Sequence, residues 1–195
     1  MRVALTIDTE HPDHPCRAGN PAAIADTLHA AGARASFFLQ GRWASANPAL
    51  ARRLAEHGHV IGNHSSSHSR MPELTDEGIC ASVTDAGEAI VEAAGVDPRP
   101  WFRCPYGAGQ DDPHIRELLD GMGYRVVDWD VDANDWEAGL AAGELRRRVR
   151  DGVRGHGDGA RVLLHAWPDV TADTLAQVVD ELRADGAELV GIDEL

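Results

Sequence analysis

Two histidines four residues apart, in the run His64-Ser65-Ser66-Ser67-His68, are the pair in this sequence best suited to holding a metal. Neutral imidazoles at that spacing can grip one divalent ion, and they share a face if the chain turns helical there. Alone the spacing is a weak signal, because two polar histidines in a loop give the same letters. Other residues of suitable chemistry close other apolar runs. Asp8 follows Val3-Ala4-Leu5-Thr6-Ile7, Arg103 follows Trp101-Phe102, Asp132 and Asp135 follow a run ending at Trp129, and His165 follows Val162-Leu163-Leu164. Each has a plain structural alternative: a turn cap for Asp8, any carboxylate as partner for Arg103, solvated loop positions for the two aspartates, a core position for His165. Trp129, Trp136 and Trp167 suit packing as well as sugar binding, and Cys104 suits packing. What sets these residues apart is a shared placement, and that depends on the elements carrying them.

The apolar runs and turn residues predict strand and helix in alternation, about seven times over. Strands are expected at 3–7, 35–39, 59–62, 101–102, 124–129, 161–164 and 188–192. Between them, helices are expected from Pro21 to Ala31 with Asn20 as N-cap, after Asn47-Pro48 to Gly58, and from Thr75 to Ala94. Further helices are expected from Pro113 to Met122, around Ala141 to Val153 and from Thr171 to Asp185. The His- and Pro-rich segment 11–15 reads as loop. Arg146-Arg147-Arg148 reads as a solvated helix face. Such alternation argues for an α/β domain with a mainly parallel sheet, occupying residues 1–195 as one unit. An eight-fold barrel usually needs about 250 residues, so a reduced barrel or an open sheet is expected. In both, reactive groups belong at the carboxyl ends of strands. Asp8, His64 with His68, Arg103, Asp132 with Asp135, and His165 all obey that rule. Five strand ends supplying metal ligands, acids, a base and a cation are far harder to obtain by accident than the histidine pair.

A net charge of −14 argues against nucleic acid or an anionic membrane surface as partner, since both demand a basic face. All eighteen basic residues are Arg, a compositional bias of the source. No run approaches the roughly 18 apolar residues of a membrane helix. The opening Met1-Arg2-Val3-Ala4-Leu5 enters a strand at once, with no charged and apolar leader, so a cytoplasmic setting is expected. Three cysteines (Cys16, Cys80, Cys104) without a CxxC pair argue for reduced thiols.

Taken in order, these motifs resemble carbohydrate esterase family 4, the polysaccharide deacetylases with a NodB homology domain. Leu5-Thr6-Ile7-Asp8-Thr9-Glu10 stands where that family has a TFDDG-type strand end, and Ala35-Ser36-Phe37-Phe38-Leu39-Gln40-Gly41 resembles its second strand. Gly58 to His68 matches the zinc-binding stretch almost letter for letter. Arg103-Cys104-Pro105-Tyr106-Gly107 matches RxPYG, Asp132-Ala133-Asn134-Asp135-Trp136 matches DxxDW, and Leu163-Leu164-His165 matches the final LxH strand. The resemblance implies a distorted, reduced (β/α) barrel of about seven strands and a metal-dependent N- or O-deacetylase. It also implies a divalent cofactor, most suitably Zn2+, and an acetylated sugar or related small molecule as substrate.

Roles follow from the resemblance residue by residue. Asp8 takes the place of the general base, oriented by Arg103, and His165 that of the acid, supported by Asp132 in preference to Asp135. The backbone N–H of Tyr106 takes the oxyanion position, with Trp136 and Leu163 on the substrate side. Two departures bear on the metal. Thr9 stands where the family has a metal-binding Asp, and Ala166 replaces the acidic residue after the last His. Glu10 faces the same side as Asp8 in an extended strand. Metal is therefore assigned to His64, His68 and Glu10, the alternatives being Asp8 on the metal with Glu10 as base, or a site that binds metal poorly. The competing functions are a non-catalytic sugar-binding relative and a cytosolic amidohydrolase of cyclic amides or imides.

Overall fold

Every residue of β1 (Arg2–Thr9) after Arg2 is buried, and this strand lies at the centre of the sheet in the computed structural model, which describes residues 1–195. It is flanked by β2 (Ser36–Leu39) and β7 (Ala160–His165). Beyond β2 come β3 (Val60–Asn63), β4 (Trp101–Phe102) and β5 (Arg125–Val126), and beyond β7 comes β6 (Val131–Asp132). All pairings are parallel. A short eighth strand, β8 (Glu188–Leu189), pairs with the start of β1. β5 and β6 are the two edges and share no ladder, so the barrel is only partly closed. This is the distorted, reduced (β/α) barrel expected.

Seven helices return the chain: α1 (Asn20–Ala30), α2 (Gly41–Ala46), α3 (Pro48–Glu56), α4 (Asp76–Ala94), α5 (Pro113–Gly121), α6 (Ala142–His156) and α7 (Asp169–Ala184). None is long and apolar enough to cross a membrane. Side-chain alternation in β2 divides the interior. Phe37 joins the main core with Ile24, Leu28, Leu54, Val149 and Val179 from the helices, whereas Phe38 points into the barrel beside Ala4, Val60 and Val127. Gly62 in β3 makes room for it: a Cβ there would lie 2.6 Å from the Phe38 ring. Cys104 packs in a second core with Met71, Phe102 and Leu119, and burial pushes its thiol up to about 12.

The structure departs from expectation in several places, among them the last strand, which pairs only at Glu188–Leu189 and does not run to 192. Asn20 does not cap α1; Gly19 occupies the cap position, and the buried Asn20 amide instead donates to the Trp167 carbonyl and to Asp169, each at 2.6 Å. α2 is an additional helix of six residues, too short to show an apolar period, and Gly41 lets it approach α4 closely. The strand expected at 124–129 pairs only at Arg125–Val126, because β4 offers two residues to pair with. β6 was not anticipated; its two residues are held by β7. Thr75 does cap α4, accepting the Gly78 N–H at 3.2 Å.

Candidate active site

Register brings the first two groups together. Asp8 pairs with His165 across β1 and β7, and paired residues of a parallel ladder project to the same face. Thr6 pairs with Leu163 two residues earlier, which sets Leu163 on that face as well. Arg103 follows β4 and is wholly buried. It donates to Asp8 Oδ1 at 2.9 Å and to the carbonyls of Val127 and Asp128 at 3.2 and 3.1 Å. Its guanidinium lies 4.2 Å over the Phe38 ring. A rigid planar fork held by three acceptors and an aromatic face fixes the Asp8 carboxylate in one orientation.

The histidine pair sits in a loop, not a helix. Ser65 and His68 both adopt left-handed backbone, with φ of 63° and 61°. Asn63 ties the loop down: its Oδ1 accepts the Ser65 N–H at 2.8 Å, while its amide donates to the Val83 carbonyl and Tyr124. Ser65 Oγ accepts the His68 N–H at 3.2 Å. A turn thus achieves the convergence that helical spacing was expected to supply. His64 Nδ1 donates to the Arg103 carbonyl at 2.9 Å, which leaves the Nε2 lone pair facing inward. The Nε2 atoms of His64 and His68 are 3.1 Å apart, and Glu10 Oε2 lies 3.2 Å from the first and 2.6 Å from the second.

These three residues fit a divalent ion. Their donor atoms converge, and Glu10 Oε2 is buried without a hydrogen-bond partner. Bonds of about 2.0–2.2 Å from two imidazoles and a carboxylate to one tetrahedral ion put neighbouring donors roughly 3.4 Å apart, close to the 3.1 and 3.2 Å found for two of the three pairs, the Glu10–His68 pair being tighter. The electrostatics agree. Burial acts to raise the Glu10 carboxyl, yet the two imidazoles against it hold it well below the usual carboxylate range. Burial acts to lower His64, yet Asp8 and Glu10 hold it above the ordinary histidine value. The cluster demands positive charge, which a proton or a metal ion can supply.

The acid side differs from expectation. Asp135, not Asp132, supports His165. Its Oδ1 lies 2.7 Å from His165 Nδ1, and its Oδ2 accepts the His165 backbone N–H at 2.8 Å and the Thr171 hydroxyl at 2.6 Å. Asp132 instead accepts the Asn134 N–H in a local turn, with Asn134 at φ 48°, and burial raises its carboxyl. Burial would depress His165, but the charge and hydrogen bond of Asp135, with Asp8 and Glu10 beyond, push it up to about 9.

Both halves open into one cleft of about 390 Å³. Asp8, Glu10, His68, Asp132, Leu163 and His165 line it, together with Tyr106 and Trp136. These are the only two aromatic residues among the exposed large apolar side chains, 50% and 44% accessible. Tyr106 sits in left-handed backbone, φ 58°, with its ring 4.3 Å from that of His68.

The family model described as polysaccharide deacetylase matches residues 1–127. The chain belongs to the polysaccharide deacetylase family. It is 31% identical over 194 residues to the peptidoglycan-N-acetylglucosamine deacetylase PgdA of Listeria monocytogenes, covering 100% of this chain and 38% of that protein. The chain thus spans well under half the length of that relative. A family 4 carbohydrate esterase from Streptomyces lividans, solved with acetate, superposes with a TM-score of 0.82 at 28% identity, over 95% of this chain and 90% of that one. A family pseudoenzyme from Bacillus anthracis superposes at 0.85 and 26%, over 100% and 64%.

Against the motifs of the polysaccharide deacetylase family, the structure brings together every residue singled out in the sequence except in the support of His165. It also adds contacts by four residues that the sequence does not assign. Asn63 holds the histidine loop, Thr171 bonds Asp135, Trp167 donates to Glu10 Oε1 at 3.2 Å, and Arg70 lies 4.5 Å over the Tyr106 ring. Asn63 carried a signal as the last residue of an apolar run directly before His64, and Trp167 as one of three tryptophans near the candidate residues.

Proposed function

We propose that this chain is a metal-dependent hydrolase that removes an acetyl group from an N-acetylated, or O-acetylated, carbohydrate. The observation that carries this reading is one cleft flanked by a carboxylate held by an arginine and an imidazole held by a carboxylate. Asp8 is locked by Arg103 beside the Glu10, His64 and His68 cluster, and His165 is locked by Asp135 across from it. Glu10, His64 and His68 would hold a divalent ion, zinc being the best match to two imidazoles and a carboxylate, and when bound it would polarise the acyl carbonyl and acidify a water.

The chain's own residues do the rest. Arg103 occupies Asp8 Oδ1 and leaves Oδ2, 3.5 Å from His64 Nε2, to accept the proton of the attacking water. The Tyr106 N–H, in the Pro105–Gly107 turn beside the cleft, serves the carbonyl oxygen as negative charge develops on it. His165, kept protonated by Asp135, delivers a proton from Nε2 to the departing nitrogen or oxygen as the acyl bond breaks. Trp136 and Leu163 face the sugar. A base at Asp8 and an acid at His165 leave acetate and a free amine or hydroxyl as products.

A non-catalytic sugar-binding role is the second reading, favoured by Thr9 and Ala166 at positions where the family carries carboxylates and by the pseudoenzyme relative. Glu10 weighs against it by filling the ligand position. The deciding experiment strips the protein of metal, restores zinc, and measures acetate release from N-acetylglucosamine oligomers and acetylated xylan, with a cyclic imide panel alongside. Zinc-dependent acetate release, reduced at least ~100-fold in His165→Ala, is expected. Sugar binding without any hydrolysis after zinc is restored would establish the second reading.

A further inference from the structure

We propose that Trp167 is the positioning residue that turns the Glu10 carboxylate onto the metal. The inference rests on the reading above, in which Glu10 is a ligand. The two carboxylate oxygens have different environments. Oε1 accepts the Trp167 Nε1–H at 3.2 Å, whereas Oε2 has no hydrogen-bond partner and lies against both imidazole nitrogens. β1 ends at Thr9, so no ladder holds the backbone of Glu10, and its side chain is one methylene longer than an aspartate. Left to itself, such a side chain has several rotamers from which to choose. Trp167 removes that choice.

Trp167 is well placed to do so. It is 5% exposed, its carbonyl accepts the Asn20 amide at 2.6 Å, and Pro168 directly after it leads into α7. Its ring lies 6.1 Å from that of His165 and 5.8 Å from that of His14. An indole N–H donates and never accepts, so it binds Oε1 without competing for a cation. A donor behind a metal-binding carboxylate fixes which oxygen faces the ion, and loss of such a partner typically weakens metal binding about 10–100-fold.

The test is the zinc affinity of the metal-free protein, measured by competition with a chromophoric chelator. Trp167→Phe keeps an aromatic ring, removes the donor and is expected to bind zinc ~10–100-fold more weakly. In a Glu10→Gln background the same change is expected to cost less than about twofold, because Trp167 acts through the carboxylate. Unchanged affinity in Trp167→Phe overturns the proposal, and so does an equal loss in both backgrounds, which marks a merely structural role. Should Trp167→Phe fold poorly, benzothienylalanine at position 167 exchanges the N–H for sulfur in the same shape, and the same loss is expected. A wild type with no zinc affinity overturns the reading of Glu10 as ligand, and the inference with it.

Discussion

Replacing Asp135 by Asn separates the two aspartates of the Asp132 to Trp136 segment as partners of the acid. Burial acts against the His165 imidazolium, and the neighbouring carboxylates, Asp135 foremost, more than reverse it to give about 9. Relative to an ordinary histidine this favours the protonated ring by roughly 3 kcal/mol. Asp135→Asn removes the charge while the burial stays, so the midpoint is expected to fall to about 6.5 or lower. The sign of the stability effect follows. A histidine whose folded-state value is raised contributes fully below its unfolded value near 6.5 and loses that contribution as pH rises through about 9. Wild-type stability should therefore decline over that window, and the variant should lack the His165 share of that decline. The assay is the titration of the His165 ring proton by NMR in the metal-free protein, with kcat at pH 7.5 measured on the zinc-loaded form. A fall in kcat of about 10²–10⁴-fold is expected for Asp135→Asn. Asp132→Asn should leave the His165 midpoint near the wild-type value, because Asp132 is committed to the Asn134 N–H. A midpoint unmoved by Asp135→Asn, or moved equally by Asp132→Asn, would refute the assignment.

Arg103→Lys keeps the charge and loses the fork. One ammonium cannot serve Asp8 and the Val127 and Asp128 carbonyls at once, so a loss of about 3 kcal/mol in denaturant unfolding is expected, with kcat falling ~100-fold. Gly62→Ala puts a methyl 2.6 Å from the Phe38 ring and should cost about 1–3 kcal/mol, together with activity, since Phe38 underlies Arg103. Gly143→Ala, where a Cβ meets nothing within 4 Å, is the control and should be neutral or stabilising in the same melts.

The fold was legible because long apolar runs alternate with amphipathic ones, and β1, β2, β3 and β7 fall where those runs are. The short edge strands were not. β5 and β6 are two residues each, and their pairing follows from what β4 and β7 present to them, not from any period of their own. The site was legible to the extent that strand ends display it. Asp8, Arg103, His64 and His165 could be picked out one by one as residues that close apolar runs. Support for those residues comes from elsewhere. Thr171 lies in the first turn of α7 and meets Asp135 from 36 residues away, and Trp167 meets Glu10 from 157. A linear pattern carries no trace of such contacts. The preference for Asp132 over Asp135 failed for the same kind of reason. Both lie near the end of β6, and only the local turn at Asn134, which engages Asp132 and leaves Asp135 to reach His165, tells them apart.

The substitution at position 9 looks like the loss of a ligand until the strand is followed to its end. β1 stays extended through Thr9, so side chains at 8 and 10 fall on one face and that at 9 on the other. Thr9 is wholly buried, and its hydroxyl donates back to the Ile7 carbonyl at 3.3 Å, away from the cleft. A carboxylate on that buried face would have to be desolvated, a cost of several kcal/mol that a hydroxyl with a backbone acceptor avoids. Glu10 lies on the productive face, and its extra methylene spans the added backbone distance to His64 and His68. The longer arm needs a second point of attachment, which the Trp167 N–H provides at 3.2 Å. Thr9, Glu10 and Trp167 are therefore one arrangement: an apolar-tolerant residue facing the core, a carboxylate facing the histidines, and a donor fixing the carboxylate from behind.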